Sequence, residues 1–463
     1  MAHQPNAGSR GQGEGPALKP GGDTIAAVAT PPGRGGIGVV RVSGPRARDI
    51  AAQVAGKVPA PRHATRVDFR ASDGATIDQG LALFFPAPHS YTGEDVLEMQ
   101  GHGGPVVMRE LLRRCVELGA RVAQPGEFTR RAFINDRLDL AQAESVADLI
   151  DASSVEAARS AARSLAGEFS RRVRALVDAL VQLRVQVEAC IDFPEEEIDT
   201  ADRRRQDEQV AGLRADLRDL LAEARQGAVL REGLTVVLVG RPNVGKSSLL
   251  NRLAGDEVAI VTPLAGTTRD YVRATISLEG VPIHLIDTAG LREAADEVER
   301  IGVDRTWRAI EEQAGAALFI EDTVGATDDD VRLRSRLPVA LPHARVVNKI
   351  DLNEMGPGRD EVAGITELRV SAKTGAGIEA LRAWLLETAG WRPHGEGLFM
   401  ARERHLVALG EAQDRLAAAS STQALELKAE ELRIAQGALG QITGDFNADD
   451  LLGEIFSRFC IGK

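Results

Sequence analysis

Only three cysteines occur among the 463 residues, at Cys115, Cys190 and Cys460. They form no CxxC pair and no metal-ligand spacing, which argues against a disulfide scaffold or a zinc module and makes a reducing cytoplasm the expected setting. No apolar run approaches the roughly 20 residues needed to cross a bilayer. Residues 1–22, MAHQPNAGSRGQGEGPALKPGG, have no apolar stretch of the kind a signal peptide requires and read as a disordered tail. An excess of positive charge is missing too: 56 Lys and Arg stand against 68 Asp and Glu, a formal net charge of −12. Counterion release needs clustered cations, so indiscriminate nucleic-acid binding is disfavoured. RRVR at 171–174 and RRR at 203–205 are either local basic patches or solvated helix faces. Cys460 sits where a C-a-a-X prenylation box would place it, but Gly462 and Lys463 fit that signal poorly, so a membrane anchor is not expected.

What is present is ordinary for a globular protein: 43% hydrophobic and 27% charged residues, in a chain long enough for several cores. Beyond the tail, residues 23–137 alternate short apolar runs with turn signals, as in TIAAVAT, GIGVVRVSG, LALFFPAP and DVLEMQGHGG. These predict strands, and PVVMRELLRRCVELG at 105–119 predicts a helix with Cys115 on its buried side, giving an α+β domain. Residues 138–228 turn almost wholly helical, interrupted by FPEEEI at 193–198. Residues 229–391 alternate strands with helices, which argues for a mostly parallel sheet with crossover helices. Residues 392–463 are helical again and end in Cys-Ile-Gly-Lys. A helical region split by an α/β block suggests one all-α domain with a nucleotide domain inserted into it.

The strongest chemistry lies at 240–247, GRPNVGKS, between a strand and a helix. In G-x-x-x-x-G-K-[ST] the glycines Gly240 and Gly245 let backbone amides converge, Lys246 reaches the outer phosphates and Ser247 offers a hydroxyl to Mg2+. Asn243, Val244 and Ser248 complete the loop and its exit into the helix. Downstream stand GTTRD at 266–270, DTAG at 287–290, NKID at 348–351 and SAK at 371–373, the order of a Ras-like P-loop GTPase. The Asp351 carboxylate matches the two donors of guanine, which adenine lacks, so GTP is the expected nucleotide. Asn348 and Lys349 brace base and loop around Ile350, and the backbone of Ser371, Ala372 and Lys373 can donate to the guanine carbonyl. Thr268 is the expected second magnesium ligand, with Asp287 holding a bound water at the head of Thr288, Ala289 and Gly290. Where Ras-like enzymes carry a water-orienting Gln, this chain has Leu291, which cannot hydrogen-bond. The polar group must come from elsewhere, and REAADEVERIG at 292–302 supplies the acids, although carboxylates also suit a helix start.

With TPPGRGGIGVVRVSG, HSYTGEDVLEMQGHGGP, QPGEFTRRAFINDRLDLAQAE, DTAGLREAADEVERIG and FCIGK added to the GTPase set, the chain resembles the MnmE/TrmE tRNA-modification GTPase family from Asp23 to Lys463. The resemblance implies that Glu299 orients the attacking water. It also implies K+ as a fixed positive charge held by Asn243, Thr262, Leu264 and Thr267, in a loop that continues through Pro263, Ala265 and Gly266 to cover the nucleotide. Read without the resemblance, Asn243 could equally be a loop-shaping residue. The N-terminal domain would be a dimer-forming module for 5-formyltetrahydrofolate or a related tetrahydrofolate, contacted by Arg41, Glu98, Arg137 and Lys463. Arg137 stands where the family commonly has Lys, a cation of different reach. For Cys460 two readings remain, a reactive thiol or a tail that packs and presents Lys463.

The resemblance further implies a homodimer working with an MnmG-like flavoprotein that holds FAD and NADH. GRGGIG in this chain fails the G-x-G-x-x-G frame and precedes a strand. Together they would add an aminomethyl or carboxymethylaminomethyl group to carbon 5 of the wobble uridine, position 34, of certain tRNAs. The alternative is a ribosome-assembly GTPase switch without modification chemistry, which shares every GTPase motif but not the flanking module or the terminal motif.

Overall fold

The computed structural model describes residues 22–193, 200–241, 243–254, 274–287, 314–323, 338, 340–353, 355–392, 397–445, 455, 456, 459 and 462. The chain divides into two compact units: Met1–Ala143 with Asn447–Lys463, and Glu144–Phe446.

The first unit is built on a six-stranded sheet. Its strands are β1 Ile25–Val28, β2 Gly35–Ser43, β3 Thr65–Arg70, β4 Thr76–Phe85, β5 Val96–Gly103 and β6 Arg121–Val122, in the spatial order β3-β4-β5-β2-β1-β6. All pairs are antiparallel except β1 with β6. Helices α1 Ala47–Val54 and α2 Pro105–Glu117 cover one face. Proline at the first turn of α2 costs nothing, because that amide has no intrahelical partner. Met108, Leu111 and Cys115 fall on its buried side and join Val40, Val42, Phe69, Phe84 and Met99 in one core. Burial in that core pushes the Cys115 thiol up to about 12, so it is not a nucleophile at neutral pH. The other face carries Ile25, Ala27 and Ala123, closed by Phe128 of helix α3, Glu127–Ile134. Arg121 grips the buried Glu127 through two contacts of 2.5 and 2.8 Å, fixing α3 against the sheet edge.

The C-terminal segment docks on this same unit. Gly126, in the left-handed conformation at the start of α3, leaves room for Phe456 and Phe459, and a Cβ there would lie 2.5 Å from the Phe456 carbonyl. The Phe456 ring lies 6.5 Å from that of Phe133 and 5.5 Å from that of Phe459.

The second unit holds the helices α4 Leu140–Ile150, α5 Val155–Leu165, α6 Glu168–Asp192 and α7 Thr200–Glu232, followed after the sheet domain by helices Glu403–Ser421 and Leu425–Thr443. In α6 the buried residues Phe169, Val173, Leu176, Leu180, Leu183 and Val187 recur at intervals of three and four, which makes one apolar stripe. That stripe faces helix 425–443, while α7 packs on helix 403–421.

In chain order, a seven-stranded sheet comes between α7 and helix 403–421. It comprises β7 Leu234–Val239, β8 Ala274–Leu278, β9 Val281–Asp287, β10 Ala316–Glu321, β11 His343–Val347, β12 Gly358–Val362 and β13 Ile365–Arg369, in the order β12-β13-β11-β10-β7-β9-β8. The five inner strands are parallel; β8 and β12 add antiparallel edges. The central strands β7 and β10 are almost wholly buried and largely apolar, as burial on both faces requires. Ser154 caps α5 by accepting from the Ala157 amide and donates to the Gly280 carbonyl at 2.7 Å, joining the helices to the β8–β9 turn. Among the described residues, no helix is long and apolar enough to cross a membrane.

Candidate functional site

The nucleotide motifs converge at the C-terminal ends of the parallel strands, where an open α/β sheet places its ligand crevice. Strand β7 runs into the loop 240–245, and helix α8, Lys246–Ala254, starts at Lys246. Glycine is required at Gly245, whose φ is +98° and whose Cβ would collide with the Asn348 amide nitrogen. The Lys246 ammonium is buried inside the loop and donates to the carbonyls of Gly240 at 2.6 Å and Arg241 at 2.9 Å. Ser247 and Ser248 are exposed on the first turn of α8, at the positive end of its dipole. Asp287 ends β9 directly opposite Leu238 of β7, the strand that leads into the phosphate loop.

The base-selecting segment is tied to that loop by side chains. Asn348 is 1% exposed, and both its amide nitrogen and its oxygen are hydrogen-bonded, as a buried polar side chain requires. Its amide nitrogen donates to the Val244 carbonyl at 2.9 Å, and its oxygen accepts from the amides of Lys349 at 2.8 Å and Ala372 at 3.1 Å. Lys349, at φ +66°, sends its ammonium to the Asn243 carbonyl at 2.6 Å. Ile350 is buried beneath them. The Ser371 hydroxyl donates to Asp351 at 2.6 Å, and this bond holds the carboxylate below its usual range. So Asn243, Val244, Asn348, Lys349 and Ala372 are joined by hydrogen bonds, and Ser371, the residue before Ala372, adds Asp351 to them. Sequence reasoning missed Arg252, which reaches from α8 to the carbonyls of Ala372 and Lys373. A surface arginine in a helix gives no motif signal.

In the first unit, Arg41 of β2 stands opposite Glu98 of β5, and they form an ion pair at 2.9 Å. The Arg41 guanidinium lies 5.3 Å from the centre of the Tyr91 ring and 5.7 Å from that of Phe128, and it donates to the Gly462 carbonyl at 3.4 Å. Gly462, at φ +102°, fits so closely against Val28 that a Cβ would strike its carbonyl. Arg137 is exposed just beyond α3, its stem alongside Gly93. Two of the four expected folate contacts are thus adjacent, with the carbonyl before Lys463 beside them. Glu299, Cys460, Lys463, Thr262, Pro263, Leu264, Ala265, Gly266, Thr267, Thr268, Thr288, Ala289, Gly290 and the Asp287 side chain lie outside the described residues.

A family model described as the MnmE helical domain matches residues 140–460, and one described as the GTP-binding protein TrmE N-terminus matches residues 24–137. The chain belongs to the MnmE family. The tRNA modification GTPase MnmE of Azoarcus sp. (strain BH72) is 61% identical over 444 residues, covering 95% of this chain and 98% of that protein. Those of Laribacter hongkongensis and Ralstonia nicotianae are 58% and 59% identical, each across 95% of this chain and at least 96% of their own length. As an MnmE-family protein with an intact P-loop fold, the chain is a GTPase.

Proposed function

We propose that this GTPase modifies tRNA, adding an aminomethyl or carboxymethylaminomethyl group to carbon 5 of the wobble uridine, position 34, together with an MnmG-like flavoprotein bearing FAD and NADH. The one-carbon unit comes from 5-formyltetrahydrofolate or a related tetrahydrofolate. One observation carries the reading: Arg41 pairs with Glu98 and also holds the carbonyl of Gly462, the residue before Lys463. This gathers the cation, the carboxylate and the Gly462 carbonyl at one place beside aromatic rings, a donor set suited to a pterin and its glutamate tail. Arg41, Glu98, Arg137 and Lys463 bind the folate, Cys460 lies in the adjoining terminal segment as a thiol for the modification, and the N-terminal unit forms the homodimer.

In the G domain the hydroxyls of Ser247 and Thr268 are hard oxygen donors fit for Mg2+, which supplies charge neutralisation at the phosphates when bound. Asn243 stands in the loop at φ +65° with its carbonyl turned to Lys349, and with Thr262, Leu264 and Thr267 it offers an oxygen-rich set for K+, a monovalent positive charge. Lys246 binds the outer phosphates, Asp351 reads the base and Glu299 orients the attacking water. The protein works in the cytoplasm.

The test is nucleoside mass spectrometry of tRNA from cells lacking the chain. Loss of the carbon-5 substituent, restored by the intact gene, is the expected result; unchanged wobble uridine would reject the modification role and return the GTPase to a ribosome-assembly switch.

A further inference from the structure

We propose that Arg252 is a positioning residue that sets how strongly the site reads the 6-oxo group of guanine. It stands on α8, the helix that begins at the phosphate loop, and its side chain crosses to the loop 371–377. Its Nε donates to the Ala372 carbonyl at 2.9 Å and a terminal nitrogen donates to the Lys373 carbonyl at 2.6 Å. A guanidinium is a rigid, planar fork, so two successive carbonyls held by it are fixed in direction as well as in place.

The consequence follows from the planarity of the peptide group. In a trans peptide the carbonyl of one residue and the amide of the next point opposite ways. Anchoring the Ala372 carbonyl on Arg252 therefore turns the Lys373 N–H away from α8. The neighbouring amides are committed elsewhere: that of Ala372 goes to the Asn348 side chain at 3.1 Å and that of Thr374 to the Ser371 hydroxyl at 3.1 Å. The Lys373 N–H is thus the amide of this loop whose direction Arg252 alone controls through its own peptide plane. Because Ser371 also holds Asp351, the loop carries two separate readings of the base, a carboxylate for its donors and an amide for its carbonyl. Arg252 acts on the second. The assignment rests on the reading that Asp351 and this loop recognise guanine.

Arg252 is exposed, and the carbonyls it holds would find water in its absence, so a folded protein is expected from either variant. The experiment uses the full chain as wild type, Arg252→Ala and Arg252→Lys, with equilibrium binding of GTP, ITP and the triphosphate of 2-aminopurine riboside. ITP keeps the 6-oxo group and lacks the 2-amino group; the 2-aminopurine nucleotide keeps the 2-amino group and lacks both the 6-oxo group and the N1 proton, so it binds more weakly throughout and is compared only between variants. Arg252→Ala should weaken GTP and ITP about five- to tenfold, the range of one net hydrogen bond. It should leave the 2-aminopurine nucleotide and the GTP-to-ITP ratio as in wild type, with an unchanged melting temperature. Arg252→Lys, which keeps one donor to the carbonyls, should fall between. Equal weakening of all three nucleotides, or wild-type affinity for GTP in Arg252→Ala, overturns the proposal. Failure of the wild type itself to prefer GTP over ITP would instead overturn the reading at Asp351.

Discussion

At Asp351 two demands meet: the carboxylate must be ionised at neutral pH, and it must hold one orientation while open to solvent. Ser371 meets both with a single hydrogen bond of 2.6 Å, which favours the charged form and pins one oxygen. Asparagine at this position presents an amide donor where guanine also presents donors, while xanthine offers a 2-oxo acceptor. Asp351→Asn should therefore weaken GTP at least about a hundredfold and give binding of XTP, measured by equilibrium titration of both. Retained GTP affinity would sink the role of Asp351. The chemistry of this residue was readable from NKID alone, since a bidentate acceptor has one obvious use there. Its partner was not, because Ser371 is 20 residues away and SAK is read for its backbone. Arg252 was illegible for a plainer reason, being one arginine among the many that solvate helices.

At the scale of elements, periodicity found α2, α6 and the inner strands, whose burial patterns are simple. It missed α1 and α3, whose eight residues make about two helical turns each, and the antiparallel edges β8 and β12. It also gave no sign of the charge cluster that locks the helices together. Glu144 of α4, 1% exposed, accepts both arms of Arg404 at 2.8 Å; Asp148 takes Arg402 at 2.7 Å and Arg231 of α7 at 2.9 Å. Arg404 also donates to the carbonyls of Gln441 and Ile442, the open end of helix 425–443. His405, fully enclosed, has its Nε2 3.0 Å from Glu144, and its Nδ1 accepts from the Arg402 amide. Removing one member of a buried charged set leaves the others unpaired, so Glu144→Ala should cost about 3 kcal/mol in urea denaturation at neutral pH.

The cluster also fixes a pH dependence. Burial holds His405 below its ordinary value of 6.5, with the nearby arginines acting the same way. The unfolded chain then takes up a proton near pH 6.5 that the folded chain refuses, so stability present above that pH is lost on acidification. Glu144, held low by His405 and Arg404 against its own burial, acts in the same sense, its contribution being lost below about pH 4.5. His405→Gln should flatten the fall in stability between pH 6.5 and 5; a slope equal to that of the wild type would remove His405 as its source.

Across the whole molecule, GTP hydrolysis and tRNA modification are assigned to different compact units, and they should be separable by substitutions that touch one unit alone. The terminal segment is the place to cut. It is held on the first unit by two rings, an arginine contact and two glycines, and burying Phe456 and Phe459 stabilises it by about 2 kcal/mol each. Against roughly 1–2 kcal/mol of backbone entropy per ordered residue, that margin is thin. A methyl group at Gly126 would press on the Phe456 carbonyl, and one at Gly462 on that of Val28, each at a positive φ where alanine is strained. Neither glycine lies in the G domain. Gly126→Ala and Gly462→Ala should therefore release the segment, abolish carbon-5 modification of tRNA in complemented cells, and leave GTP turnover within about twofold of wild type. Two variants are needed because Gly126 also starts α3; agreement between them places the effect on the segment they share. If both lose GTP turnover together with modification, the two activities are not divided between the units as assigned.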